Sequence, residues 1–352
     1  MKLFRCQKCA NRLYFENSSC EKCGHVLGYL PEQEILAAVE PDGATWIAIG
    51  NADGRYRFCA NWELHACNWL ISSHAKSSYC SACQHNDVVP DVSNPANRAL
   101  WLKLEEAKRR LFYSLIKLRL PLGLREDGEG EPLEFRFLSD LPGHKIMTGH
   151  DNGLITIALK EADDATREKR RASMNEPYRT LLGHFRHEVG HYYWDKLVRD
   201  GDMLDDFRHA FGDERMSYEE ALERHHALGV PLGWQDNFVS AYATMHPWED
   251  FAETWAHYLH ICDTLEMAQS FGLSVYPTAG VKPATTVQLA INPYHSGDMK
   301  KIIADWLPIT FAVNCLNRAM GQPDLYPFVV SEPVVQKLDY IQQLVQRRRT
   351  AD

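Results

Sequence analysis

In GHFRHEVGHYYW, residues 183–194, His187 and His191 stand four apart with Glu188 beside the first. On a helix this spacing puts both imidazoles on one face, where both reach one zinc ion at about 2.0–2.1 Å. Glu188 then lies near the open coordination position, able to take a proton from a water whose pKa the metal lowers toward about 7. The alternative is a surface helix with a polar face, since three fixed residues recur by chance and the chain has 16 histidines. A hydrolytic zinc also needs a third protein ligand. The segment MHPWEDFAETWAHYLH offers Glu249 and Glu253 four apart on one face, one to ligate and the other to orient an imidazole. His184, one turn before His187, is a further ligand candidate, read here as a packing or supporting histidine. Asp195 either accepts the His191 ring hydrogen or faces solvent. His246, before Pro247, is a candidate hydrogen-bond donor. Tyr192, Tyr193, Trp194, Trp248 and Trp255 read as core and pocket-wall aromatics.

The ten cysteines carry a second kind of chemistry. Cys6, Cys9, Cys20 and Cys23 form two CxxC pairs, the pattern of two knuckles closing one tetrahedral zinc site. Cys59, Cys67, Cys80 and Cys83 form a looser second set ending in CxxC, with His65, His74 or His85 as substitute ligands. The sequence thus predicts two structural zincs and one catalytic zinc. The two cysteine segments look polar and loop-rich, so metal binding should supply most of their folding free energy, on the order of 10 kcal/mol per site. Cys262 and Cys315 sit alone in apolar stretches and read as buried core thiols.

The elements that must position these residues fall into two domains. Residues 1–95 form a zinc-ribbon region. Residues 96–352 form an α+β domain, mostly helical with a small mixed sheet and a helical C-terminal part. Asn94 and Pro95 open a helix that runs through Ala99 to Leu118, with Leu100, Leu104, Leu111, Leu115 and Leu118 on one face. Glu105, Glu106, Lys108, Arg109 and Arg110 fill the other. Strands are expected around Leu133–Phe137, Lys145–Thr148 and Asn152–Lys160, with LREDGEGEPL as a loop. The charged run Glu161–Arg171 reads as a solvated surface. Met299–Leu307 and Pro333–Val345 read as helices.

Composition excludes several classes. With 45% hydrophobic and 24% charged residues the chain is neither disordered nor fibrous. No apolar run approaches the ~20 residues of a membrane span. The start MKLFRCQKCANRL lacks the apolar core of a secretory signal, so the protein is expected in the cytoplasm, where cysteines serve metals rather than disulfides. Near the N-terminus Lys2, Arg5, Lys8, Arg12 and Lys22 face only Glu16 and Glu21, and Phe4, Tyr14 and Phe15 are available to stack on bases. The whole-chain balance of 38 basic against 47 acidic residues argues against a nucleic-acid partner. The zinc modules are better suited to recruiting a protein or bracing the catalytic unit.

The segment EDFAE resembles the glutamate helix of gluzincin metallopeptidases, where the first glutamate of ExxAE is the third zinc ligand. The resemblance implies that Glu249 ligates and that Glu253 supports from behind, with Asp250 as the alternative register across the long gap from His191. In anthrax lethal factor, a gluzincin, a tyrosine seven residues before the ligand glutamate stabilises the oxyanion. Tyr242 holds that position here and competes with His246. The whole chain more closely resembles the bacterial zinc-binding metallopeptidases with an N-terminal zinc ribbon, through FCANWELHACNWL, TGHDNGLIT, EPYRTLLGHFRHEVGHYYW, SAYATMHPWEDFAETWAHYLH and LNRAMGQPDLYPF. That resemblance implies a zincin-like fold and places Arg318, Asp324 and Tyr326 either along the cleft or in structural packing. Gluzincins also pair an edge strand with extended substrate; Gly153–Leu159 is such a strand or an interior one.

The expected reaction is hydrolysis of a peptide or protein substrate. Zinc on His187, His191 and Glu249 polarises the carbonyl, Glu188 shuttles the proton and Tyr242 holds the oxyanion. The rivals are an amidase or isopeptidase acting on a ligated peptide, and a zinc-ribbon binding protein with an inert HExxH site.

Overall fold

The computed structural model describes residues 1–125, 128, 130–141, 143, 145–173, 176, 178–278, 286–289 and 292–351. It divides into two compact units. The first is Met1–Lys117 with Pro121–Glu168, and the second is Leu118–Leu120 with Lys169–Asp352. The first unit extends past residue 95 because strand pairing and helix packing tie the segments around the second cysteine set to those that follow.

In the first unit β1 (Phe4–Arg5) and β2 (Arg12–Leu13) form a small hairpin around the first knuckle. An antiparallel meander follows: β3 (Val26–Leu30), β4 (Ile35–Asp42), β5 (Thr45–Ala48), β6 (Asn51–Phe58) and β7 (Leu70–Ser72). A bridge between Tyr29 and Trp69 links the first strand to the last and nearly closes the sheet on itself. Leu30, Ala37, Val39, Ala48 and Leu70 form a core inside it. This corrects the expectation that residues 1–95 are loop-rich and without a core: VLGYL and ILAAV supply short apolar strands. Phe4 and Phe15 are buried with Tyr29, so these two rings are not available to stack on bases, while Tyr14 is exposed.

The second sheet of this unit is mixed. β8 (Asn86–Val88) and β11 (Leu154–Ala158) both run parallel to β9 (Glu134–Leu138), and β10 (Gly149–Asp151) is antiparallel to β11. The second predicted strand thus forms slightly later than Lys145–Thr148. Asp151 pairs with Leu154 across a two-residue turn of Asn152 and Gly153, both with positive φ, the geometry of a tight type I′ hairpin. β11 lies between β10 and β9, so the interior reading of Gly153–Leu159 holds and the edges are β10 and β8.

Helix α1 (Pro95–Lys117) begins as expected, with the Asn94 side chain accepting from the Ala96 amide at 2.9 Å. Part of its charged face is buried, while Glu106 and Arg110 stay partly exposed. Glu105, Lys108 and Arg109 are buried. Lys108 pairs with Glu105 at 2.9 Å, Asn86 donates to the same carboxylate at 2.7 Å, and Arg109 donates to the Ala66 carbonyl. These polar groups satisfy one another between the helix, β8 and the second cysteine set. Helix α2 (Asp164–Ser173), which contains the unit boundary, buries no residue, but Glu161 and Ala162 just before it are buried, so the run read as solvated from Glu161 to Arg171 is exposed only in its later part.

The second unit is helical. It comprises α3 (Leu181–Trp194), α4 (Leu204–Phe211), α5 (Tyr218–Leu228), α6 (Pro247–Ser270), α7 (Met299–Ala319) and α8 (Glu332–Ala351), with a two-stranded hairpin of β12 (Ser274–Val275) and β13 (Val287–Gln288). Helix α6 is central and packs against α3, α4, α7 and α8. Trp255 stacks on Tyr193 at a centroid distance of 4.8 Å, and Phe251 meets Phe207 and Phe211 at its other side. Helix α7 passes through Pro308 and ends at Ala319 rather than Leu307. Cys262 is buried in α6, but Cys315 is exposed on the outer face of α7, a correction to its reading as a core thiol. Among the described residues, no helix is long and apolar enough to cross a membrane.

Candidate metal centre

Each HExxH residue is delivered by α3. The Thr180 hydroxyl caps it, accepting from the Gly183 amide at 3.0 Å, and the helix continues into a π-helical turn at Asp195–Arg199. Helix α6 brings Glu249 and Glu253. The two helices approach closely at Gly190, where a Cβ would lie 2.9 Å from Ala252 Cα and 3.2 Å from Trp255 Cβ. The small residues in HEVGH and DFAE thus let the two backbones come together.

His187, His191 and Glu249 converge. His187 Nε2 lies 3.2 Å from His191 Nε2 and 2.9 Å from Glu249 Oε2, and His191 Nε2 lies 3.4 Å from the same oxygen. A tetrahedral centre with bonds of about 2.0–2.1 Å separates its ligands by about 3.3–3.4 Å, so the three atoms fit one face of it. Glu253 Oε1 sits 2.7 Å from His187 Nδ1. A carboxylate can only accept, so Nδ1 carries the hydrogen and Nε2 presents a lone pair. Glu249 Oε2 is buried and receives no hydrogen bond. Electron-pair donors brought this close in a buried place need a cation between them. Burial works against a charged His187 ring, but attraction from the Glu249 and Glu253 carboxylates outweighs it and holds its pKa well above the ordinary value. Burial also opposes the Glu249 charge, yet His191 and His187 hold that carboxyl well below the usual range. Both shifts describe a place built for positive charge.

Glu188 is buried beside this triangle. Burial raises its carboxyl pKa, while His187 and His191 pull the other way. Tyr242, in a 3₁₀ turn just before α6, stays partly exposed with its ring 5.9 Å from that of His187. Trp248 lies against His191 at a centroid distance of 3.7 Å. His184 lies outside the three-residue cluster. Asp195 is buried and pairs with Arg199 at 2.9 Å.

Two alternatives left open by the sequence separate here. Asp250 points away from the histidines to Lys337 Nζ at 2.6 Å, and burial pushes its pKa up to about 7 against the pull of that lysine. Glu249 therefore faces the histidines and Asp250 does not. His246 caps α6: Nδ1 accepts from the Trp248 amide at 3.1 Å, leaving Nε2 to donate to the Met216 carbonyl at 3.1 Å. Both ring nitrogens are spent on backbone, so His246 supports the helix start rather than the reacting centre.

Sequence reasoning missed Tyr218, at the start of α5, whose hydroxyl donates to Glu249 Oε1 at 2.8 Å. It stands 31 residues before Glu249 with no spacing to mark it. Ser240 was also missed; its hydroxyl hydrogen-bonds Glu253. Of the residues read as possible cleft lining, Arg318 pairs with Asp324 at 2.6 Å, and Tyr326 is buried with its hydroxyl 2.6 Å from His257 Nδ1. Tyr326 is thus held by packing, and Arg318 and Asp324 form an ion pair at the surface.

Both cysteine sets assemble. The Cys6 and Cys23 sulfurs are 3.7 Å apart, those of Cys9 and Cys20 3.6 Å, and those of Cys67 and Cys80 3.7 Å. Tetrahedral zinc with bonds of about 2.3 Å separates sulfurs by about 3.8 Å, so these donors also fit. Ala10 and Gly24 amides close the two knuckles onto the Cys6 and Cys20 carbonyls. In the second set the Cys80 and Trp69 amides donate to the Cys59 and Cys67 sulfurs at 3.4 Å. None of the substitute histidines joins: His65 and His74 are exposed, and His85 is buried with Nδ1 2.7 Å from the Leu133 carbonyl oxygen.

Residues 97–344 match the model of a family described as "Putative zinc-binding metallo-peptidase", and residues 3–94 match a zinc-ribbon domain. An uncharacterized protein of Mycobacterium bovis and two of Mycobacterium tuberculosis strains are each 43% identical over 346 residues, covering 98% of this chain and 95% of theirs. No solved structure matches.

Proposed function

The chain belongs to this family of zinc-binding metallo-peptidases with an N-terminal zinc ribbon, and from that membership we propose that it hydrolyses bonds in a peptide or protein substrate. The observation that carries the reading is the buried triangle of His187, His191 and Glu249 with a buried Glu188 beside it. These three side chains hold the catalytic zinc in a gluzincin-like arrangement, and the two four-cysteine sets hold structural zincs. When bound, the catalytic zinc supplies Lewis-acid polarisation of the scissile carbonyl and acidifies the attacking water. Glu188 accepts the water's proton and passes it to the leaving amine; a carboxyl whose pKa burial has raised is suited to both tasks. Tyr242 donates to the oxyanion, worth about 2.7–4 kcal/mol in the transition state. Glu253 and Ser240 hold His187 in the tautomer that ligates. The zinc modules brace the chain or recruit a protein partner in the cytoplasm, a reading supported by the burial of Phe4 and Phe15.

The test is Glu188→Gln. The variant should keep its full zinc content and yield no new amino termini from a peptide library that the parent protein cleaves. Cleavage at the parent rate would sink the proposed role of Glu188.

A further inference from the structure

The geometry points to Tyr218 as a positioning residue that completes the metal centre from α5, orienting Glu249 through a hydrogen bond from its hydroxyl. This rests on the reading of Glu249 as a zinc ligand. Tyr218 donates to Glu249 Oε1 at 2.8 Å, the oxygen that does not face the histidines. Because an ionised carboxylate can only accept, the Tyr218 proton is committed to Glu249.

Two consequences follow. A bond to Oε1 fixes the rotation of the carboxyl so that Oε2 points at His187 and His191, which α6 alone does not ensure because the side chain has three torsions. The helix that supplies this bond is lightly held. Among its eleven residues Ala221 alone is buried, and beyond Tyr218 it meets the site where the His225 ring stands 6.3 Å from that of Tyr242. Tyr218 is itself set by ring contacts with His246 at 5.5 Å and Trp248 at 6.0 Å. Phenylalanine would keep those contacts and lose only the hydroxyl.

The experiment compares the full-length protein with Tyr218→Phe by zinc competition against a chelator and by the visible spectrum of cobalt(II) placed in the His187–His191–Glu249 site while zinc fills the cysteine sites. Tyr218→Phe should weaken that site by about 10–100-fold and shift the cobalt bands, with the cysteine sites and the melting of the metal-stripped helical unit unchanged. Tyr242→Phe, which leaves the Tyr218–Glu249 bond in place, should weaken metal binding less than Tyr218→Phe. Unchanged affinity and unchanged cobalt bands in Tyr218→Phe would overturn the assignment, as would equal losses at all three sites. Neither readout uses peptide cleavage, so a protein that binds metal as described but cleaves nothing would refute the proposed hydrolysis and leave the role of Tyr218 standing.

Discussion

Gly190→Ala tests the claim that the metal centre depends on how closely α3 and α6 approach. The added methyl would stand 2.9 Å from Ala252 Cα and 3.2 Å from both the Ala252 carbonyl oxygen and Trp255 Cβ. Carbon atoms in good contact sit about 3.5–4.0 Å apart, so at Ala252 the shortfall is roughly 0.6–1.1 Å. The obstructing atoms are backbone and a packed Trp root, so the helices must part. Alanine gains about 1 kcal/mol over glycine within a helix, and overpacking costs about 1–3 kcal/mol, leaving a net loss of about 0–2 kcal/mol in stability. The metal site is hit harder. His187 and His191 ride on one helix and Glu249 on the other, at 2.9 and 3.4 Å, and a displacement above about 0.5 Å takes the carboxylate out of reach. Zinc affinity at this centre should fall by about 10-fold or more, while the cysteine sites keep theirs. Urea denaturation of the metal-free protein beside a chelator competition separates the two effects. A folded variant that binds the third zinc within twofold of the parent would refute the reasoning.

Zinc content gives a second check. The parent should carry three ions per chain by elemental analysis, His187→Ala should lose one and remain folded, and Cys80→Ser should lose one together with protease resistance of the β3–β7 meander, because about 10 kcal/mol of folding energy is tied to a site of this kind. Acid should also destabilise the helical unit through His257, whose pKa burial pushes down to about 4, against Glu253 and assisted by Arg186. The unfolded chain takes up this proton near pH 6.5 and the folded one only near 4. Stability from this group is therefore complete above about 6.5 and is lost as pH falls toward 4, by about 2 kcal/mol between pH 7 and 5. A His257→Phe variant with the same pH slope in denaturation midpoints would rule the group out.

The parts of this protein that were legible in its sequence are those governed by short-range geometry. HExxH lies within one turn and a half of helix, and ExxAE within another. Their internal spacing fixes which side chains share a face, whatever the rest of the chain does. The choice between Glu249 and Asp250 was less local, because it depends on the rotation of α6 in its packing. Lys337 settles that rotation from 87 residues away by taking Asp250 for a buried ion pair. Tyr218 was invisible for the same reason, since nothing about a tyrosine near a helix start announces the carboxylate it will meet. The burial of Glu105, Lys108 and Arg109 shows the opposite failure. Periodicity placed them together on the face opposite the leucines but did not show that they are buried and pair there, because it counts charges without asking whether they pair. Gly190 lies between these cases. Its place inside HEVGH is local and plain to read, but its meaning, a crossing with Ala252 tight enough to set three donor atoms within bonding distance of one ion, exists only once both helices are in place.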